Sequence, residues 1–483
     1  MFGFGDVSYI IPNRFTYGYG LTKEIVESMV KERCPQLIIT VDNGIASVEA
    51  VEAANAFGIK VLITDHHLPG ITLPNAAAIV NPNQIGDNFA SKALAGVGVA
   101  FYLMLVLRAH LRNIGWFSSV SMAEPSMVQF LDLVALGTIA DAVPLDRNNR
   151  ILVANGIKRI NTDRCRPGIL AIFNSAKRHH GQISTYDLGF VIAPRLNAAG
   201  RLDDMSLGVE LLLARDQMVA GNIARQLDTL NSERRVIESE MQAQALRILD
   251  NLNLDQNLPA GICIFEESWH QGVLGILASR LKDKFNRPVI VFTAIDENEI
   301  RGSARSVDGL QLLNIISDIA QDNPDLITRF GGHAMAAGLS MPRENFDTFA
   351  SLFDQRVEDA MISTKLESII HSDGELELEH LDLITAELIK LAGPWGPGFV
   401  EPLFHGSFRV VKHSLTANKH LKLTLHHLLN SKPHLDAICF NANIPWQEEF
   451  KPSQLRIVYR PSVNEYNGRK SLQLIVSEIL DHQ

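Results

Sequence analysis

The chain has 483 residues, with 54 acidic against 44 basic side chains for a formal charge of −10, and is 46% hydrophobic and 20% charged. This excludes a disordered or fibrous chain and allows about three domains. The four cysteines (Cys34, Cys165, Cys263, Cys439) make no CxxC or Cys/His zinc pattern, and no basic or apolar leader follows Met1, so a reduced, cytoplasmic setting is expected.

The front of the chain reads as α/β. Residues 37–41 form a short apolar run ending at Asp42, residues 47–56 carry helix-period Val and Ala and stop at Gly58, and residues 59–64 are rich in β-branched side chains and end at Asp65. Strand, helix and strand within about thirty residues predict a βαβ unit in a parallel sheet buried on both faces. Helices are predicted near 98–110 and 128–140; the near-apolar run 94–107 is too short for a membrane span of ~20 residues. From 207 to about 252 the chain lacks Pro and is rich in Ala, Leu, Gln, Glu and Arg, which predicts one or two long helices serving as an interdomain connector. A second α/β pattern follows, with strands at 261–265 and 288–292 around a helix at 272–285.

The last part opens with the largely alternating residues 368–378 and is punctuated by Gly393-Pro-Trp-Gly-Pro-Gly398. Alternating stretches at 406–413, 420–426, 435–440, 454–460 and 471–475, with Asn467-Gly468 as a hairpin signal, predict a small β-barrel.

Chemistry is expected first at Asp65-His66-His67, directly after an apolar strand. Ligands gather at the carboxyl ends of parallel strands, and Asp42 ends the neighbouring one. Carboxylates and imidazoles meeting there suit Mn²⁺ or Mg²⁺, with no thiolate to favour structural zinc. The bland alternative has the acids capping the segments that follow and the histidines solvated. Asp141 would sit at a helix C-terminus, where the dipole disfavours an anion and a bound cation would relieve it; otherwise it is a turn acid before Pro144. Pro194-Arg-Leu-Asn-Ala-Ala-Gly-Arg201 and Ser303-Ala-Arg-Ser306 offer guanidinium, amide and hydroxyl groups for phosphate oxygens, or ordinary surface ion pairs. In Phe330-Gly-Gly-His-Ala-Met-Ala-Ala-Gly338 the glycines allow close backbone approach, and the small residues after His333 predict a helix whose start could meet a phosphate. On the barrel, Arg409, Lys412, Lys419, Lys422 and Lys432 with His413, His420, His426, His427 and His434 face only Asp436. Basic strands suit single-stranded nucleic acid, with Tyr459, Tyr466, Phe408 or Phe440 for base stacking; the alternative is a solvated strand face.

Asp42-Asn43-Gly44, Asp65-His66-His67, Asp141 and Gly331-Gly332-His333 stand in the order of the DHH/DHHA1 phosphoesterase superfamily. Within it the chain closely resembles the RecJ single-strand-specific exonucleases over essentially its whole length. Supporting stretches are Pro12-Asn-Arg14, Gly18-Tyr-Gly-Leu21, Leu94-Ala-Gly-Val-Gly98, Arg195-Leu-Asn-Ala-Ala-Gly-Arg201, Trp269-His-Gln-Gly272, Ser303-Ala-Arg-Ser306 and Gly393-Pro-Trp-Gly396 with Glu401-Pro402. The family's first motif, an Asp-x-Asp-Ala-Asp-Gly stretch, has no counterpart: Asp6 stands alone in residues 2–14. The expectation is a chain lacking the family's first strand, with one site of a two-metal centre incomplete and with poor solubility.

The resemblance implies an α/β protein in four parts: a parallel-sheet DHH domain (1–206), a connector helix (207–255), a DHHA1 domain (256–364) and an OB-like barrel (365–483). It implies that Asp42 bridges two divalent ions, Mn²⁺ or Mg²⁺, that His66 and Asp141 bind one of them, and that Asp65 and His67 support the site. Arg195, Asn197, Arg201, Ser303, Arg305, Gly331, Gly332 and His333 would hold the 5′-phosphate and nearby backbone. The implied activity is 5′-to-3′ hydrolysis of single-stranded DNA to mononucleotides in repair and recombination, by a monomer that cooperates with a helicase and a single-strand-binding protein. Two alternatives stay open: a phosphodiesterase on short oligonucleotides, and a non-catalytic nucleic-acid- or protein-binding module.

Overall fold

The computed structural model describes residues 2–13, 17, 20–178, 182–251, 258–364, 369–416, 420–440, 442, 453–466 and 468–482. Arg14, Gly18, Tyr19, Ser368, Lys419 and Asn467 lie outside the described residues, as do the side chains of Lys432 and Tyr466.

Strands β1 (Leu37–Val41), β2 (Lys60–Thr64) and β3 (Ala78–Val80) form a parallel sheet in that order. Helix Val48–Ala56 makes the crossover between β1 and β2, and Gly58, at φ +73°, ends it in the left-handed conformation that suits glycine. One face of the sheet is closed by Ile25, Val26, Val51 and Ala54 packing on Ile38, Val61 and Ile63. The expected burial of both faces fails at the edge strand β1: Ile38 and Thr40 are buried, while Leu37, Ile39 and Val41 are 48%, 51% and 59% exposed. Its outer neighbour would have to be another strand, and none lies there among the described residues.

Helices Gly96–Asn113, Leu131–Ala140, Arg147–Asn161, Pro167–Ser175 and Ala193–Leu202 build the rest of the first domain. Helix Gln217–Asn251 then runs unbroken for 35 residues, about 50 Å at the α-helical rise. Ala220, Ala224 and Leu227 on its first half belong to the core of the first domain. On its second half, Met241, Ala245 and Leu249 pack with Leu274, Leu277 and Leu281 of helix Leu274–Phe285 in the next one. Glu238 ties the two helices further, accepting from Arg234 at 3.1 Å and Arg280 at 3.0 Å.

The second α/β unit contains β4 (Ile262–Phe265), β5 (Val289–Ala294), β6 (Glu299–Arg305), β7 (Arg329–His333) and β8 (Ala336–Pro342), in the order β4-β5-β6-β8-β7. The predicted helix after His333 is instead the second strand of an antiparallel hairpin, β7–β8. The reason is alternation: Ala337, Leu339 and Met341 all point into one core, and that burial outweighs the helix propensity of alanine.

The carboxyl-terminal strands β9 (Phe404–Thr416), β10 (His420–His427), β11 (Asn430–Cys439), β12 (Gln454–Tyr466) and β13 (Arg469–His482) close into a barrel, β10-β11-β13-β12-β9. Two of the proposed stacking rings are not on its surface. Phe408 and Tyr459 are each 1% exposed, edge to face at 5.5 Å inside the barrel, because their alternation places them with the inward Leu421, Leu423 and Ile457. Phe440 is exposed beside His420, and Arg409, Lys412 and Lys422 face outward. No helix among the described residues is long and apolar enough to cross a membrane.

Candidate metal centre and phosphate site

Asp42 follows the last residue of β1 and prolongs its pairing, donating its N–H to Thr64 O at 3.0 Å. Its φ of +65° lies in the left-handed region, which Asp tolerates better than most residues, and turns the carboxylate back over the sheet end. Asp65 follows β2 and is 1% exposed. Its Oδ2 accepts from Ile45 N at 2.9 Å, and its Oδ1 from His66 N at 2.8 Å and His67 N at 3.2 Å, with His67 Nδ1 at 2.6 Å. Burial works against ionisation of Asp65, but the imidazole and the three N–H groups outweigh it and hold the carboxyl below the usual range. A carboxylate so fully engaged orients its neighbours instead of offering lone pairs to a cation.

His66 Nε2 points between two acids, 3.0 Å from Asp42 Oδ1 and 3.3 Å from Asp141 Oδ2. The atom is buried from solvent. Two carboxylates and an imidazole aimed at one point, with no sulfur among them, are the donor set that Mn²⁺ or Mg²⁺ takes, so the residues fit such an ion. His67 adds a ligand-type atom within 4.8 Å of those of Asp42 and His66. Burial opposes protonation of His66, yet Asp42 and Asp141 together hold its pKa above the ordinary value. Asp141 sits at the C-terminus of helix Leu131–Ala140; burial pushes its carboxyl up, with His66 opposing and Asp42 adding to the shift.

Two residues that sequence reasoning did not single out, Asn81 and Asn83, and one inside a stretch it did, Gly96, secure this cluster. Asn81 Nδ2 donates to His67 O at 2.9 Å, Asn83 Nδ2 donates to His66 O at 2.5 Å, and the two are linked by Asn83 N to Asn81 Oδ1 at 2.8 Å. The available signal was Asn81-Pro-Asn83 at the end of a third apolar run. Gly96 opens helix Gly96–Asn113 directly against Asp42, where an added Cβ would lie 2.3 Å from Oδ1.

The second domain reaches this centre. The His333 ring, at the tip of the β7–β8 hairpin, lies 6.0 Å from that of His67, and Gly331, Gly332 and His333 are all exposed there. Gly332 has φ +147° and no space for a side chain, since a Cβ would fall 2.4 Å from Ala336 O. Arg201 joins the domains by donating to Gly272 O at 2.9 Å. On β6, Ser303 and Arg305 share one face and meet Gly275, where a Cβ would come 2.7 Å from Arg305 Nη2 and 3.1 Å from Ser303 Oγ. Gly275 was the third residue missed. Arg305 donates to Ala304 O at 2.8 Å, no carboxylate pairs with it among the described residues, and burial lowers its pKa. A half-buried guanidinium beside a hydroxyl and a helix start, with no counter-ion among the described residues, is chemistry for a phosphate. Arg195 is placed differently: it is buried, bonded to Asp228 Oδ1 and Val191 O, each at 2.8 Å, and braces the connector helix. Asn197 is exposed on helix Ala193–Leu202, which also carries Arg195.

Three family models match the chain: "DHH family, N-terminal domain" over residues 3–138, "DHHA1 domain" over 257–359 and "RecJ OB domain" over 372–478. Among curated proteins it is similar to the single-stranded-DNA-specific exonuclease RecJ of Dickeya dadantii, 47% identical over 98% of this chain and 82% of that protein. The protein of the same description from Haemophilus influenzae is 49% identical over 99% of this chain and 83% of its own length. Among solved structures it is similar to RecJ from Thermus thermophilus in complex with Mn²⁺, with TM-score 0.75 and 25% identity, covering 95% of this chain and 63% of that one. An exonuclease RecJ bound to manganese matches with TM-score 0.58 and 31% identity over 73% of this chain and 83% of that one.

Proposed function

This chain belongs to the RecJ family of DHH phosphoesterases, and from that premise we propose that it is a metal-dependent exonuclease that hydrolyses single-stranded DNA from the 5′ end to mononucleotides. The observation that carries the reading is the meeting of Asp42, His66 and Asp141 at one point, with His333 of the other domain beside them. Asp42, His66 and Asp141 would hold Mn²⁺ or Mg²⁺. A divalent cation held there supplies Lewis acidity at the scissile phosphate and acidifies water into a nucleophile near neutral pH. Asp65, bonded to both histidine N–H groups, keeps the His66 and His67 imidazoles oriented. Arg305 and Ser303 hold the terminal phosphate, with Arg201, Asn197 and the Gly331-Gly332-His333 tip beside the adjoining backbone. Arg195 supports that face through the connector helix. The basic outer strands of the barrel grip the strand farther along.

A fixed separation between phosphate pocket and cation site makes each cut one nucleotide from the end. We infer a role in repair and recombination, in a cytoplasmic setting, downstream of a helicase that supplies single strands and alongside a single-strand-binding protein. The test is digestion of a 5′-labelled single strand with Mn²⁺ or Mg²⁺, comparing the parent with Asp42→Ala. Labelled mononucleotide from the parent, and none from a variant that still binds the strand, is expected. Strand binding without release of nucleotides by the parent would instead favour a non-catalytic binding module, and cleavage confined to short oligonucleotides would favour the small-substrate alternative.

A further inference from the structure

The motif Gly393-Pro-Trp-Gly-Pro-Gly398 lies at the root of the barrel, far along the chain from the acids, yet it docks on the segment that begins with Asp141. Pro397 O accepts from Leu145 N at 2.6 Å. Gly396 has no room for a side chain, since a Cβ would come 2.8 Å from Leu145 Cδ1; Gly398, at φ +71°, lies against Pro144 with a Cβ position 3.1 Å from Pro144 Cβ. Phe399 stacks on Trp395 at 4.8 Å and lies 4.0 Å beneath the Arg150 guanidinium. Thr185 Oγ1 donates to Trp395 O at 2.7 Å, and Trp395 Nε1 donates back to Ile389 O at 2.9 Å in helix Leu383–Ala392.

The segment between these contacts and the acid is short and has little freedom. Ala142, next to Asp141, has φ +56°, a left-handed conformation that a β-carbon disfavours and that surrounding contacts must hold. Leu145 is 1% exposed in the core of the first domain. From the inner side, the fully buried Asn149 donates to Pro144 O at 2.9 Å and to Ala93 O at 2.7 Å, three residues before Gly96 and its contact with Asp42. Asp146 completes the hold by capping helix Arg147–Asn161 at Asn149 N, 2.8 Å away, and accepting from Ser91 Oγ at 2.6 Å.

We propose that the turn at residues 393–399 is a positioning element for the Asp141 carboxylate, fixing residues 141–146 from outside and joining the third ligand of the cation site to the barrel that grips the strand. The inference rests on the cation reading of Asp42, His66 and Asp141. Groups that orient a metal ligand without touching the ion change affinity by about 10–100-fold when removed.

The experiment measures Mn²⁺ binding without DNA, from the loss of the free-ion electron paramagnetic resonance signal. It uses the parent, Phe399→Ala, Phe399→Tyr, Gly398→Ala and, as control, Asp42→Ala. Strand binding in chelator and thermal unfolding are recorded alongside. Phe399→Ala should bind Mn²⁺ about tenfold or more weakly, with strand binding in chelator unchanged, kcat lowered more than KM raised, and Phe399→Tyr restoring the parent. Gly398→Ala removes no side-chain contact; it strains the turn at φ +71° and presses on Pro144 and Leu145 N, so it disturbs the same docking by another route, decides the matter if Phe399→Ala unfolds, and should also weaken Mn²⁺ binding. Parent-like Mn²⁺ affinity in a folded Gly398→Ala or Phe399→Ala protein, when Asp42→Ala has lost it, overturns the positioning role. Unchanged Mn²⁺ binding in Asp42→Ala overturns the cation reading itself.

Discussion

Gly96 is the position near the acids where one added methyl group has the most direct effect. A Cβ there falls 2.3 Å from Asp42 Oδ1, 2.5 Å from Asp42 Cβ and 2.6 Å from Cγ. Turning the carboxylate away does not relieve the clash, because Asp42 Cβ is itself too close, so the Asp42 backbone or the helix start must shift by about 1 Å. Alanine favours a helix by about 0.5–1 kcal/mol over glycine and overpacking costs about 1–3 kcal/mol, leaving a net loss of about 0–2.5 kcal/mol. A ligand displaced by about 1 Å costs far more in rate, on the order of 100-fold. Gly96→Ala should therefore fold, unfold at slightly lower urea, and lose about two decades of Mn²⁺-dependent strand hydrolysis. The cause can be isolated in an Asp42→Gly background, where glycine accepts the φ of +65° and the clash is gone; Gly96→Ala should then be neutral or stabilising. Full turnover by the single variant, or equal destabilisation in the Asp42→Gly background, would refute the argument.

Two further substitutions probe the neighbouring groups. Asp65→Asn places an amide nitrogen against a buried N–H and weakens charge-assisted bonds, so urea denaturation should show a loss of about 2–4 kcal/mol; under about 1 kcal/mol would mean that these bonds carry little. Arg305→Ala should erase a preference for 5′-phosphorylated over 5′-hydroxyl single strands of about tenfold in binding, with cleavage of the captured strand retained. A preference that survives would move the phosphate away from Arg305.

Much of this geometry was legible in the sequence because it depends on local order. Two apolar runs each ending in an acid place Asp42 and Asp65 at the same sheet edge whatever surrounds them, and the proline-free stretch from 207 to 252 could hardly be other than helical. From local pattern alone Asp141 is a misfit with the helix dipole or a turn acid; the family resemblance implies its place among the ligands, and its approach to His66 is a tertiary fact. The segment after His333 was misread because its composition favours a helix, while its alternation, visible at Ala337, Leu339 and Met341, favoured a strand and prevailed. Phe408 and Tyr459 were misread for a related reason: the period of a strand separates two faces without saying which is the inside. Asn81, Asn83 and Gly275 carry no signal of their own because each acts across the chain, on a backbone or side chain that no spacing rule connects to it.

The open rim of the first sheet has a practical corollary. Leu37, Ile39 and Val41 present alternate apolar side chains beside a ladder that no strand among the described residues pairs, and Asp42 follows directly on that strand. Any molecule that zips onto this rim, a second copy included, would crowd the same acid that the cation needs. Concentrating the protein should therefore silence hydrolysis before turbidity appears, and lysine at Ile39 should keep concentrated samples both clear and active.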